Sequence, residues 1–228
     1  MKIRFGVGTG SGSRPEELAE LVDRLEAEGI DSLWFSELMK VGTSVAILPG
    51  RHPVLVAEQL SSLAALAPRR VLPVFGLQPA TPQERDLFPV AGRRGDVFDE
   101  LLRLLRAVPR EDDVDYDGDY FTVRGARVGS RPARPLDIWL GGRASAAFRR
   151  IGRYGDGWLG SFLTPAEAAA GVAAINTEAA AAGREIEADH FGITLLLAHD
   201  GIPADLAAAI TFQATATNAA DATTSTQK

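Results

Sequence analysis

The chain has 228 residues, no cysteine, three histidines and a formal net charge of −6. Disulfides, thiolate metal sites and a cysteine nucleophile are therefore excluded, and a nucleic-acid role, which needs a basic face to neutralise phosphates, is disfavoured. Hydrophobic residues make up 46% and charged residues 24%, the balance of a soluble globular protein long enough for one sizeable core. No apolar run approaches the ~20 residues of a membrane helix, and Met1-Lys2-Ile3-Arg4-Phe5-Gly6 is too poor in apolar residues for a signal peptide. A cytoplasmic protein without membrane contact is expected.

Residues 3–7 read as a first strand, followed by a glycine-rich loop over 8–12. Ser13-x-x-Glu16 is a capping box; Leu18, Leu21, Val22 and Leu25 then recur at helical spacing, and Gly29 stops the helix. Residues 32–36 read as a second strand, so the chain opens as a strand–helix–strand unit, which favours a parallel pair. A third strand is expected over 41–47, a helix over 54–66 after His52-Pro53, and a fourth strand over 71–76. Residues 94–108 form a helix with Val97, Phe98, Leu101, Leu102, Leu104 and Leu105 on its apolar face. The polar stretch 111–128 is an excursion with a hairpin turn at 116–120. Strands follow over 138–140, 157–160 and 191–197, with helices over 145–154 and 165–182 and a short one over 203–210.

Seven strand-like segments thus alternate mostly with helices, the α/β pattern of a barrel or a doubly wound sheet. Two places break the rhythm. Four residues separate strands two and three, whereas a parallel crossover needs ~10–12; the strands are not parallel neighbours, or a helix is missing. No eighth strand is visible, and residues 211–228 are almost devoid of apolar side chains. They are expected to be a disordered tail to a single domain of residues 1–210.

The segment from Asp137 to Trp158 is the most informative. A short apolar strand runs into Gly141-Gly142, where no β-carbon blocks an anion from the backbone amides, and a helix then points its positive end at the same spot. Strand, Gly-Gly, helix is either a phosphate cradle or a tight turn without a ligand. Glu37 ends strand two at the face where α/β barrels collect ligands; it is an acid or base there, or a salt-bridged loop residue. Other motifs fall short. Gly6-x-Gly8-x-x-Ser11 and Gly8-x-Gly10-x-x-Ser13 both miss the third glycine of a dinucleotide loop, which leaves a nicotinamide-dependent reductase as a weaker alternative. Asp113-x-Asp115-x-Asp117-Gly118 begins like a calcium loop, but the twelfth position is Arg124 instead of a bidentate Glu, so a solvated acidic hairpin is the better account. His52, His190 and His199 show no metal spacing, and no metal is expected. There is no G-x-S-x-G elbow of a hydrolase.

Taken together, several segments resemble the luciferase-like monooxygenase superfamily: Ser32-Leu-Trp-Phe-Ser-Glu37, the run from Val41 to Gln59, Leu63-Ala-Ala-Leu-Ala-Pro-Arg-Arg-Val71, and Ile138 to Trp158. The resemblance covers about residues 3 to 200. It implies a TIM (β/α)8-type barrel, incomplete here, with one helix and the last β/α unit apparently missing. It implies an oxidoreductase passing hydride between a small organic substrate and a cofactor, either coenzyme F-420 (a deazaflavin) or flavin mononucleotide (FMN). On the positions that match, Ser44-Val45 would bulge against the cofactor ring, with Gly76 closing the neighbouring strand. Gly141 and Gly142 would hold the phosphate, Arg143 and Ser161 would add to them, and Glu37 would handle protons. Some deazaflavin dehydrogenases of the family carry Asp-His after strand two and a glutamate after strand four; here the positions read Glu37-Leu38 and Gln78-Pro79, away from a sugar-phosphate mechanism. The shortened barrel is expected to survive through a homodimer, or else to be a non-catalytic remnant that no longer binds cofactor.

Overall fold

The computed structural model describes residues 6–9, 20, 22–24, 27–28, 32–35, 45–68, 71–78 and 82–194. The capping box at Ser13, Glu37, Ser44, the helix expected over 203–210 and the tail 211–228 lie outside the described residues. The backbone divides into two compact units, one of residues 5–141 and one containing residues 142–194.

In the first unit β1 (Gly6–Thr9) pairs in parallel with β2 (Ser32–Phe35), from Gly6 opposite Ser32 to Thr9 opposite Phe35. Residues 20, 22–24 and 27 between them are helical, so the strand–helix–strand opening is present. Gly8 and Thr9, expected in the glycine-rich loop, are instead in the ladder. That places Gly6 and Gly8 in a pleat and not in a phosphate-binding turn.

A second parallel set runs β3 (Ala46–Ile47), β4 (Val74–Gly76) and β7 (Trp139–Gly141). The strand expected over 41–47 is reduced among the described residues to its last two positions, with Val45 in a bend ahead of them. The strand expected over 71–76 likewise starts only at Val74. Pro73, just before it, has no N–H to give to a ladder, although its carbonyl still accepts from the Trp139 amide at 3.0 Å. Among the described residues β1 and β2 form a sheet of their own without a ladder to β3, so the ring of strands is not closed.

Helix α1 (Pro53–Leu66) begins with proline at its first position, where the missing N–H costs nothing. Helix α2 (Pro82–Leu87) was not foreseen. Helix α3 (Arg94–Ala107) buries Val97, Phe98, Leu101, Leu102, Leu104 and Leu105, as the helical spacing predicts. Between α3 and β7 the excursion forms an antiparallel hairpin of β5 (Val114–Asp117) and β6 (Thr122–Ala126). Its aspartates are occupied within the hairpin: Asp115 accepts from the Gly125 amide at 2.7 Å, and Asp117 pairs with Arg124 at 3.2 Å.

Glu100 anchors the hairpin. It is 3% exposed on the apolar face of α3, and its carboxylate accepts from the backbone amides of Asp119, Tyr120 and Phe121, the last at 2.7 Å. A buried carboxylate is tolerated only with such compensation.

In the second unit α4 (Ser145–Tyr154), β8 (Gly157–Ser161), α5 (Pro165–Ala181) and β9 (Phe191–Thr194) follow one another, and β8 pairs with β9 in parallel from Trp158 opposite Phe191 to Ser161 opposite Thr194. Trp158 is the centre of the packing. Its ring is 1% exposed and meets Phe148 of α4 edge-on at 5.6 Å, and α5 approaches it at Gly171, where an added β-carbon would stand 2.6 Å from the indole. Arg184 closes the unit, donating to the Gly152 carbonyl at 2.9 Å and pairing with Asp156 at 3.0 Å. No described helix is long and apolar enough to cross a membrane.

Candidate functional site

Parallel strands present their carboxyl ends together, and ligands of α/β folds collect there. In the first unit the register brings Val74 opposite Trp139 and Phe75 opposite Leu140, so Gly76 and Gly141, the next residues of each strand, lie side by side at that end. Ile47 is opposite Gly76 on the other side. Val45 is half-buried, and its Cγ1 lies 2.8 Å from where a β-carbon on Gly76 would stand. Three positions singled out from the sequence, Val45, Gly76 and Gly141, are thus brought together. Val45 reaches the group from the bend just ahead of β3.

The second unit begins at Gly142, with φ at +126°, a conformation that side chains rarely adopt. A β-carbon there would also stand 2.7 Å from the Cβ of Ala147. The Gly142 carbonyl is held by the indole N–H of Trp158 at 2.8 Å. Helix α4 then starts with Ala144 as N-cap, with no side-chain cap and no acidic residue in its first turn. The orphan amides of a helix start normally take a Ser, Thr, Asp or Asn cap; here the first turn offers only its own backbone. Arg143 is exposed beside it, and Ser161 is half-buried at the end of β8.

The electrostatics of this end add one group that the sequence did not reveal. Thr164 caps α5 in a full capping box: the Glu167 carboxylate accepts from the Thr164 amide at 2.8 Å and from its hydroxyl at 2.9 Å. The Thr164 hydrogen bonds, backbone first and side chain second, hold the Glu167 carboxyl below its ordinary range, and the positive charge of Arg143 adds to the effect.

His52, the N-cap residue of α1, has its ring edge-on to Phe121 at 6.2 Å. His190 donates from Nδ1 to the Asp156 carbonyl at 2.7 Å, a structural use. Glu187, Asp189 and His190 bring potential ligand atoms within 4.8 Å of one another, with Glu187 exposed. Glu37 and Ser44 lie outside the described residues.

Comparisons with known proteins identify the family and the fold. The family profile described as Luciferase-like monooxygenase matches residues 36–221. An uncharacterized protein of Mycobacterium tuberculosis is 36% identical over 113 residues, 49% of this chain and 38% of its own length. The F-420-dependent glucose-6-phosphate dehydrogenase of Kineococcus radiotolerans is 25% identical over 175 aligned positions, 64% of this chain and 52% of its own length. The chain thus spans about half the length, or less, of these relatives.

Among solved structures, an F-420-dependent secondary alcohol dehydrogenase in complex with an F-420–acetone adduct superposes with a TM-score of 0.74 at 21% identity, over 86% of this chain and 69% of that one. The oxygenating constituent of 3,6-diketocamphane monooxygenase from Pseudomonas putida, in complex with FMN, gives 0.64 at 15% identity, over 87% and 68%. These likenesses establish the fold: an α/β barrel of the TIM type, incomplete in this chain. With the strand-end glycines in place and the profile running across most of the sequence, the chain belongs to the luciferase-like monooxygenase family.

Proposed function

We propose that this chain binds coenzyme F-420 or FMN at the carboxyl ends of its strands and passes hydride between the cofactor ring and a small organic substrate. The observation that carries the reading is the loop after β7. Gly142, at φ +126° and pressed against Ala147, opens a helix whose first turn has neither a side-chain cap nor an acidic residue. The free ends of that turn, its dipole and the neighbouring Arg143 all favour an anion, and in this reading the anion is the cofactor phosphate. The curated relatives named F-420-dependent glucose-6-phosphate dehydrogenase and the FMN-bound neighbour support the same cofactor pair.

The roles then follow. The amides of Gly141, Gly142 and the first turn of α4 would hold the phosphate, with Arg143 adding charge and Ser161 a hydroxyl. Val45, seated on Gly76, would back the ring together with Ser44. Glu37 would take or give the proton that accompanies hydride transfer. The bound ring supplies the redox chemistry; the chain supplies position and electrostatics. A cytoplasmic location and a homodimer belong to the same reading, the dimer covering Leu55 and Leu66 of α1, which are 63% and 84% exposed; sedimentation of the purified protein checks it.

The test is a titration of the purified protein with F-420 and, separately, with FMN, following cofactor fluorescence. A saturable change with one of them is expected, and no change with either rejects the reading.

One observation favours a second reading. β1 and β2 are not joined to β3 among the described residues, and the match covers about half of the curated relative's length. A barrel remnant without cofactor would purify colourless, and its melting temperature would not move on adding cofactor, since binding to the native state must raise stability.

A further inference from the structure

Phe162 is the one large apolar side chain of the second unit that stands exposed among the described residues, at 72%. With Asp113 of the first unit, it is one of two described non-glycine residues with positive φ, at +57°. A bulky side chain in the left-handed region is strained, whereas glycine takes that conformation freely. The neighbours explain how the strain is held. Leu163 turns back onto the strand, its Cδ1 2.6 Å from where a β-carbon on Gly160 would stand, and Thr164 is fixed by its capping box with Glu167. Between these anchors the chain must reverse at Phe162, and the ring is turned outward. The fold gains neither from the strain nor from the exposure. Residues that are strained and yet firmly held are a mark of functional positions.

The position is telling. Phe162 directly follows Ser161, at the carboxyl end of β8, the strand whose Trp158 indole N–H holds the Gly142 carbonyl at 2.8 Å. Residues 161–165 read Ser-Phe-Leu-Thr-Pro, without a charge. We infer that Phe162 is the apolar wall of a substrate subsite, and that the part of the substrate lying against it is an uncharged alkyl or aryl group. The inference rests on the cofactor reading given above, which commits Arg143 to the phosphate and leaves no charge in this loop for an anionic substrate.

The test uses the whole protein and Phe162→Gly, with and without saturating F-420 or FMN. The probe is 4-phenyl-2-butanone, a neutral ketone with an apolar ring, titrated by calorimetry. Removing a contacting phenyl ring should weaken the probe about tenfold or more. The affinity for cofactor should be unchanged, and the melting temperature should rise because glycine relieves the strain. Equal probe affinity in the two proteins, or a fall in melting temperature in Phe162→Gly, overturns the inference while leaving the cofactor reading intact. A probe difference that persists when neither protein binds cofactor rejects the cofactor reading and keeps Phe162 as an apolar contact. Benzoate, an aromatic anion, should bind at least tenfold more weakly than the ketone; benzoate binding as tightly as the ketone also overturns the inference.

Discussion

The Cγ1 methyl of Val45 occupies the space that a β-carbon on Gly76 would need, 2.8 Å from its ideal position. Valine is stiff at χ1 and cannot swing aside cheaply. Gly76→Ala is therefore expected to destabilise the protein by about 1–3 kcal/mol, the usual cost of overpacking, and to weaken cofactor binding. Denaturant unfolding and cofactor titration measure the two effects. Adding Val45→Ala should restore much of the stability, because the two side chains compete for one space; additive losses in the double mutant would show that the contact is not the cause.

Gly142 separates strain from charge. Gly142→Ala puts a methyl against Ala147 and into an unfavourable φ, and should cost about 1–3 kcal/mol of stability. Gly142→Asp adds a carboxylate at the proposed phosphate site and should lose measurable cofactor binding beyond the alanine variant, with the fold retained by circular dichroism. Equal affinity in the two variants would move the cradle elsewhere.

Glu100→Ala leaves the amides of Asp119, Tyr120 and Phe121 without their acceptor. The expected loss is about 3 kcal/mol, on the scale of a buried charged hydrogen-bonding group. Amide hydrogen exchange should accelerate first at residues 118–121. Glu100→Gln keeps one acceptor oxygen and should fall between the two.

The Glu167 carboxyl has a lowered pKa through its bonds to Thr164. A depressed carboxyl contributes stability above its unfolded pKa, about 4.3, and loses it as pH falls through the folded value. Melting temperatures of the native protein and Glu167→Gln should therefore differ at pH 7 and converge in acid. A constant gap across pH 3–7 would remove the carboxylate from the cap. Thr164→Ala should cost about 1 kcal/mol at neutral pH.

The sequence is most legible where punctuation is strong. The helix expected over 145–154 is α4 to the residue, because Gly141-Gly142 and Gly155 bracket it, and α5 differs from its expected span by one residue. Each of the seven parallel strands is present, yet Val45 lies in a bend ahead of β3 and not in its ladder: a β-branched apolar run signals a strand, but only neighbours decide how much of it pairs. Helix α2 escaped notice because Gln83-Glu84-Arg85-Asp86 has no apolar period, leaving Pro82 as the sole signal. Glu100 is hidden for a related reason. A glutamate among leucines on a helix reads as the polar face, and its burial follows from the hairpin that folds over it. The order of strand, Gly141-Gly142 and helix was legible in the residue types, whereas the conformation of Phe162 has no signature there. Glu37 and Ser44 are known only from the sequence.

Trp158 ties the cradle to the interior: its indole N–H grips the carbonyl of Gly142 while its ring lies in the core against Phe148. An occupant settling on the loop would change the polarity felt by that indole. The protein thus carries a built-in optical reporter, and with Trp34 and Trp139 replaced by phenylalanine the remaining ultraviolet emission would register the arrival of any ligand, coloured or not.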